Sequence, residues 1–369
     1  MVARKTKTLV ECLAEIDDPR TGNGKRHDLV EVLVIAICGI FAQVEGFDDI
    51  AEWAVVKEPW LRRFLRLENG IPSHDTFNRI FRILDPRQFE QVFRRWVGGV
   101  VGTLRENIAI DGKALRGSAT AGDGPVHMVS AFATRLGLVL GQEKVADKSN
   151  EITAIPALLE ALAIQGCLVS IDAMGTQREI ARAIRALGAD YLLAVKGNQP
   201  TLHQALEEAF VGQWENVHNL VQAGHGRQVF QIYRTLANTG EVDTATWADC
   251  TVLGRVDSVR VVGGQQSPLE TRYYIASGEL TPAAFAAAVR DHWGVENRLH
   301  WSLDVIFGED DRRITKDHGP QNFSLLSKMA LNLLRQAPPP ARKQSLRMRR
   351  KCMGWDDDAR MTLLGLTHL

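Results

Sequence analysis

The feature that most constrains this chain is a change of hydrophobic period near residue 107. Before it, apolar residues recur three and four apart in Leu29 to Ala42, Ile50 to Leu67 and Phe89 to Val97, the spacing of helices that bury one face. Beyond it come strand-like runs: Ile108-Ala109-Ile110 into Asp111, then Val126 to Thr134, then Leu136 to Val145, with Arg135-Leu136-Gly137 as a turn. Three such runs in succession predict an antiparallel meander laid down after an α-helical N-terminal domain. Within that domain, Gly70-Ile71-Pro72-Ser73 stops one helix and Ser73 caps the next. The short turn between the two resembles a helix-turn-helix, with Asn78 and Arg79 on its second helix.

The strand pattern then alternates with helices. A helix is expected from Glu151 to Ala163, with Ser149-Asn150 as cap candidates, followed by a buried strand, Cys167 to Ile171, ending in Asp172. A helix from Gln177 to Leu187 leads to a strand from Tyr191 to Val195. Residues 212–271 differ, with alternating segments Gln228 to Leu236 and Leu253 to Val262 around Gly263-Gly264, and read as a β-rich insertion. Strand Tyr273 to Ala276 and one helix from Thr281-Pro282 to about Phe307 return to the α/β pattern. The expected division is a helical N-terminal domain (1–104), a core in two parts (105–211 and 272–335) around the insertion (212–271), and a basic C-terminal tail (336–369).

Composition limits the function classes. With 369 residues, 45% hydrophobic and 24% charged, the chain is an ordinary globular protein of about two domains, which excludes disorder and collagen-like structure. Its 44 basic and 44 acidic residues cancel, so any nucleic-acid contact must come from local patches. The clearest patch is Arg342, Lys343, Arg347, Arg349, Arg350 and Lys351, with no acid before Asp356; it reads either as a solvated helix face or as a phosphate contact. The longest apolar run, Val32 to Ala42, is too short for a membrane helix, and the N-terminus lacks a signal-peptide layout, so a cytoplasmic, nucleoid-associated protein is expected. The five scattered cysteines include no CxxC pair, which argues against a zinc ribbon and fits small buried residues.

The chemistry-bearing residues are carboxylates. Asp111 follows an apolar strand and precedes Gly112-Lys113, and Asp172 ends the next buried strand, so parallel pairing of the two strands would bring both acids together. Close carboxylates repel unless a cation or proton lies between them. On the helix Phe285 to Phe307, His292, Glu296, His300 and Asp304 fall at spacings of four, on one stripe. An acid on the first strand of a meander, a second after the next strand and a third on a late helix resembles an RNase H-like fold with an Asp-Asp-Glu triad. Three such carboxylates can hold two Mg²⁺ or Mn²⁺ ions roughly 4 Å apart, one at the attacking and one at the leaving oxygen of a phosphodiester. Lys113, Arg116 and Lys196, at strand ends beside these acids, are either solvated charges or phosphate contacts. Trp293 and Trp301 read as core packing in preference to base stacking.

Several blocks extend the resemblance: Ile110 to Ser118 (IDGKALRGS), Lys148-Ser149-Asn150-Glu151, Asp172-Ala173-Met174-Gly175-Thr176-Gln177 and His292 to Trp301 (HWGVENRLHW). With Gly70 to Phe77 (GIPSHDTF), Gly224-His225-Gly226-Arg227 and Gly354-Trp355-Asp356-Asp357, they span nearly the whole chain and resemble the signature blocks of the H-repeat-associated insertion-sequence transposases. The resemblance implies a DDE transposase that cuts and joins double-stranded DNA at the ends of its element, as a homodimer or larger synaptic assembly, with Asp111 and Asp172 as the first two catalytic acids and metal ligands. Glu296 is the implied third, because Trp293-Gly294-Val295-Glu296 is similar to the Trp-x-Ile/Val-Glu block of related transposases. Where the wider pattern has Tyr and Arg before that acid and Lys after it, this chain has Val289, His292 and Leu303, and Asp304 stays a rival third ligand. DNA contacts are expected from Lys113, Arg116, Lys196, His292, Arg298, His300, Arg347, Arg349, Arg350 and Lys351. A domesticated nuclease using the same triad, or a non-catalytic DNA-binding derivative, is the alternative reading.

Overall fold

The computed structural model describes residues 7–145, 151–224 and 226–366. Five helices lead from α2 to α6: α2 (Leu29–Phe41), α3 (Phe47–Val56), α4 (Glu58–Leu61), α5 (His74–Ile83) and α6 (Pro86–Val101), after a short α1 (Leu9–Leu13). Asp28, Ser73 and Asp85 each accept from a backbone N–H of the first turn they precede, in α2, α5 and α6, as N-caps do. Residues 62–73 separate α4 from α5, a connection longer than the turn of a helix-turn-helix. Asn78 and Arg79 lie on the exposed face of α5.

The meander follows as β1 (Asn107–Leu115), β2 (Val126–Ala133) and β3 (Leu138–Val145). Next come α7 (Glu151–Glu160), β4 (Leu168–Ile171), α8 (Arg178–Ala186), β5 (Asp190–Val195) and α9 (Pro200–Ala209). β1 is antiparallel to β2 and parallel to β4, and β4 is parallel to β5. The order β3-β2-β1-β4-β5 is the mixed, RNase H-like sheet expected.

The β-rich segment forms β6 (Val217–Gly224), β7 (Arg227–Ala237), β8 (Val252–Val262) and the short β9 (Gln265–Gln266). These strands do not make a sheet of their own. Through β10 (Glu270–Ala276), which pairs with β5 on one side and β8 on the other, they extend the same sheet to ten strands.

α10 (Pro282–His292) begins the late helix, but that helix does not keep α-helical winding. Across Val295–His300 and Ser302–Ile306 the hydrogen bonds reach five residues back, as from Trp301 N–H to Glu296 O and from Phe307 N–H to Ser302 O. Such π-wound turns are wider than α turns.

α11 (Gly319–Gln336) runs through the middle of the molecule and is buried on nearly every side. Asn322 Nδ2 donates to the carbonyls of Phe81 and Leu84, and Asn332 exchanges two hydrogen bonds with the backbone of Val139, tying the N-terminal helices to the sheet through one helix. Each fully buried leucine or phenylalanine in this layer contributes about 1.5–3 kcal/mol.

The basic tail folds as α12 (Leu346–Trp355) and α13 (Asp357–Leu364). Among the described residues no helix is long and apolar enough to cross a membrane. Four of the cysteines are buried, and Cys352 is half-buried.

Candidate active site

Parallel pairing of β1 with β4 sets Ile110 opposite Ile171, so the next residues, Asp111 and Asp172, stand side by side where β4 ends. The turn after β4 is shaped around Asp172. Its Oδ1 accepts from the backbone N–H groups of Met174 (3.1 Å) and Gly175 (3.2 Å). Thr176 Oγ1 donates to the carbonyls of Asp172 (3.1 Å) and Ala194 (2.6 Å), and Asn198 Nδ2 donates to Ala173 O (2.7 Å), so the loops after β4 and β5 are fixed to each other.

A cleft of about 400 Å³ opens over these strand ends, lined by Asp111, Asp172, Lys196, His292, Trp293 and Glu296, with Glu270, Arg272 and Tyr273 from β10 on its far wall. Glu296 is exposed on the first π-wound turn. Arg272 lies over the Trp293 ring at 4.9 Å, and Trp293 and Trp301 are both solvent-exposed, so neither tryptophan is the core residue expected from sequence.

The electrostatics of the cleft are unbalanced. Burial, and next the neighbouring Asp172, push the Asp111 carboxyl up to about 8; Glu296 and Glu151 add to this, while the Gly112 backbone N–H opposes it. Burial holds His300 down at about 4, with Lys328 and Lys113 adding to the effect, so this imidazole is neutral at pH 7. Its Nδ1 lies 3.5 Å from Asp111 Oδ2, and its buried Nε2 has no protein partner. His292 Nδ1 is 3.1 Å from Ser170 Oγ, and burial likewise lowers its proton affinity, with Asp172 opposing.

The wider winding separates residues that α-helical spacing would align. His292, Glu296 and His300 stay with the cleft and Asp111, whereas Asp304 pairs with Lys113 at 2.6 Å. Lys113 also meets Glu309 at 3.2 Å and Asp310 at 2.8 Å. Burial would lower its proton affinity, but Glu309, Asp304 and Asp310 outweigh this and raise it. Half-buried Asp304 is thus paired with a cation, although burial still raises its proton affinity, and Lys113 is committed to three carboxylates.

Other expected DNA contacts bond to the chain's own carbonyls, although Arg298 stays exposed and Arg349 half-buried. Arg350 is buried, with its guanidinium on the carbonyls of Ile40 and Ile306 and over the Phe307 ring at 4.5 Å. Arg298 donates to Thr134 O, and Arg349 Nη2 to Ala337 O at 2.8 Å. The tail packs on the core through Arg349 and Arg350, while Arg342, Lys343 and Arg347 keep part of its charge exposed. Arg116, Lys196 and Arg347 remain exposed, and Lys351 is half-buried. His225 and Lys148-Ser149-Asn150 of the signature blocks lie outside the described residues.

The donor set suits a hard divalent cation, since Asp111, Asp172 and Glu296 offer only carboxylate oxygens and no cysteine is near. Among the described residues no three acidic, histidine or cysteine side chains already converge on one point. The three acids line one cleft at wider spacing. Sequence reasoning missed Glu270, Arg272 and Tyr273 of the far wall, because pairing between β10 and β5 leaves no local signal.

Comparison with known proteins agrees with this architecture. Residues 103–333 match the model of the family described as "Transposase DDE domain", and residues 10–97 match that described as "DDE_Tnp_1-associated". The Escherichia coli (strain K12) protein named "H repeat-associated putative transposase YhhI" is 37% identical over 341 residues, which cover 89% of this chain and 90% of that protein. An Escherichia coli O157:H7 protein named "Putative transposase YncI" is 38% identical over 341 residues, covering 89% and 87%. Among solved structures, a piggyBac transposase synaptic complex with hairpin DNA aligns with 96% of this chain and 76% of its own at 10% identity and a TM-score of 0.47, a loose likeness that adds nothing to the assignment. With paired aspartates at adjacent strand ends and a family match over more than half its length, the chain belongs to the DDE transposases.

Proposed function

We propose that this protein is the transposase of a bacterial insertion sequence, cutting DNA at the ends of its element and joining the freed ends to target DNA, with Asp111, Asp172 and Glu296 holding two Mg²⁺ or Mn²⁺ ions. The observation that carries this reading is the placement of Asp111 beside Asp172 at adjacent parallel strand ends, in one cleft with Glu296. When bound, the ions activate the attacking oxygen and stabilise the leaving one.

The chain's own groups do the positioning. Backbone N–H groups of residues 174 and 175 fix the Asp172 carboxylate before any ligand arrives. The protonated state favoured at Asp111 by burial and by Asp172 gives way once positive charge enters the cleft. Neutral His300 supports the Asp111 side chain without competing as a cation. Lys196 on the rim and exposed Arg116 would contact phosphates, which orients the DNA without reading its sequence. Holding two element ends together calls for a homodimer or larger synaptic assembly.

The test places the native flanking DNA around a selectable marker and scores excision and reinsertion in cells. Movement by the intact protein, with a loss of about 10³-fold or more in Asp111→Ala, Asp172→Ala and Glu296→Ala, is expected from removing several kcal/mol of transition-state stabilisation. Activity in Glu296→Ala together with loss in Asp304→Ala, in stably folded proteins, would overturn the third ligand. Cleavage without rejoining would turn the reading into that of a nuclease.

A further inference from the structure

Of the three acids at the cleft, Glu296 is the one whose side chain is not fixed by bonds of its own. Asp172 is held by two backbone N–H groups, and Asp111 by the Gly112 N–H and the neighbouring His300 ring. Among the described residues, no hydrogen bond or ion pair reaches the Glu296 carboxylate. Where this acid stands is therefore set by the segment that carries it, the passage from α10 into the first π-wound turn.

That segment is gripped from the far wall of the cleft. Glu270, Arg272 and Tyr274 alternate along β10 and so share one face of the sheet. Tyr274 packs on Phe285 near the start of α10, with ring centroids 5.4 Å apart, and Arg272 lies over Trp293, the residue that closes α10, at 4.9 Å. β10 thus holds α10 at both ends. Nε and Nη2 of Arg272 donate to Glu270 Oε1 at 2.9 and 2.6 Å, which orients the guanidinium on the indole. Trp293 is exposed, so core packing alone does not fix its ring, and a cation over its face adds a directed attraction. Its carbonyl accepts both the backbone N–H (3.2 Å) and the side-chain Nδ2 (3.0 Å) of Asn297, so the residues on either side of Glu296 are tied to the gripped tryptophan.

We infer that Arg272 is a positioning residue for the third acid: stacked on Trp293, it holds the start of the first π-wound turn and keeps Glu296 in the cleft with Asp111 and Asp172. This rests on Glu296 being the third metal ligand, as in the reading above.

Mn²⁺ binding to the full-length, DNA-free protein, measured by calorimetry, tests it beside salt titrations of duplex-DNA binding. Removing a positive charge near three acids would by itself tighten cation binding, so a weaker affinity reports lost geometry. Arg272→Gln is expected to weaken Mn²⁺ binding by about tenfold and to leave the salt slope of DNA binding as in the parent. Arg272→Lys, which keeps a cation for the ring, should recover most of that loss. Trp293→Leu should weaken Mn²⁺ binding similarly, with little further loss when combined with Arg272→Gln. If Glu296→Gln weakens Mn²⁺ binding while Arg272→Gln binds as tightly as the parent or more so, the positioning role is overturned and the third ligand stands. A salt slope lower by about 1 with unchanged Mn²⁺ affinity would make Arg272 a phosphate contact instead. Equal Mn²⁺ binding by the Lys and Gln variants would also overturn the role, since the cation would then not be the cause. If Glu296→Gln binds Mn²⁺ as the parent does, or the parent binds none at millimolar concentration, the third ligand fails and this inference with it.

Discussion

Two clusters of charge, built from the same two elements, behave in opposite ways. Asp111 and Lys113 are two residues apart on β1, and Glu296 and Asp304 are eight apart on the late helix. At the first of each pair, carboxylates line an open cleft, and among the described residues no lysine or arginine is bonded to Asp111, whose neighbour His300 is neutral, so Asp111 is driven toward its protonated form. At the second, Lys113 closes an internal network with Asp304, Glu309 and Asp310, continued by Ser324, Lys328 and Gln142. One cluster is internally compensated and serves stability; the other keeps an electrostatic deficit that a bound cation would relieve.

The sharpest way to break the comparison is to remove charge from each side and compare Tm with activity. Lys328 is buried, and its loss would remove a buried cation that Glu309 shares with Lys113 and Glu90 shares with Arg94. Lys328→Ala is therefore expected to destabilise the fold by about 3 kcal/mol or more, read by denaturant unfolding, whereas Asp172→Asn, which keeps the Oδ1 acceptor of the turn, should leave or raise stability while abolishing transposition. Equal destabilisation by both would sink the distinction.

A smaller effect is set by pH. Asp111 has a folded-state value of about 8 against an unfolded one near the ordinary ~4. Its raised value contributes stability that is fully present below about pH 4 and lost as pH rises through about 8. In metal-free protein, Asp111→Asn is expected to flatten this decline and to raise Tm by about 3 °C at pH 9 relative to the parent. Parallel pH profiles for the two proteins would show that the repulsion is absent.

Smallest are the exposed cations. Arg116→Ala and Lys196→Ala should each weaken DNA binding several-fold without changing sequence preference, and lower the salt slope by about 1. Arg350→Ala should instead lower Tm, because its guanidinium bonds only inside the protein. Salt titrations of DNA binding, paired with melting curves, separate the two behaviours.

What was legible in the sequence follows from how local each signal is. Asp111 and Asp172 could be read because an apolar strand ending in an acid and a turn is written in adjacent residues. Glu296 came from its block, not from periodicity, and the four-residue stripe fails at Asp304 because nothing local announces π winding. That Lys113 and Arg350 are committed inside the protein was not legible, since exposure depends on tertiary neighbours. Two helices were missed for different reasons. α9 had a usable signal in Pro200 at its start and Leu202 and Leu206 four apart, whereas α11 is buried on nearly every side and has no polar face to give it a period.

The unbroken sheet also makes the protein its own ruler. Glu270 on the cleft wall pairs with Ser258, and β8 continues four residues further to Val262, the partner of Arg227 at the start of β7. The hairpin tip therefore overhangs the cleft by about 13 Å, joined to it by hydrogen-bonded strands and not by a hinge. Adding two residues to β7 and to β8 would lengthen that span by about 7 Å while keeping each side chain on its face of the ribbon, so the reach of the tip beyond the carboxylates is written in strand length.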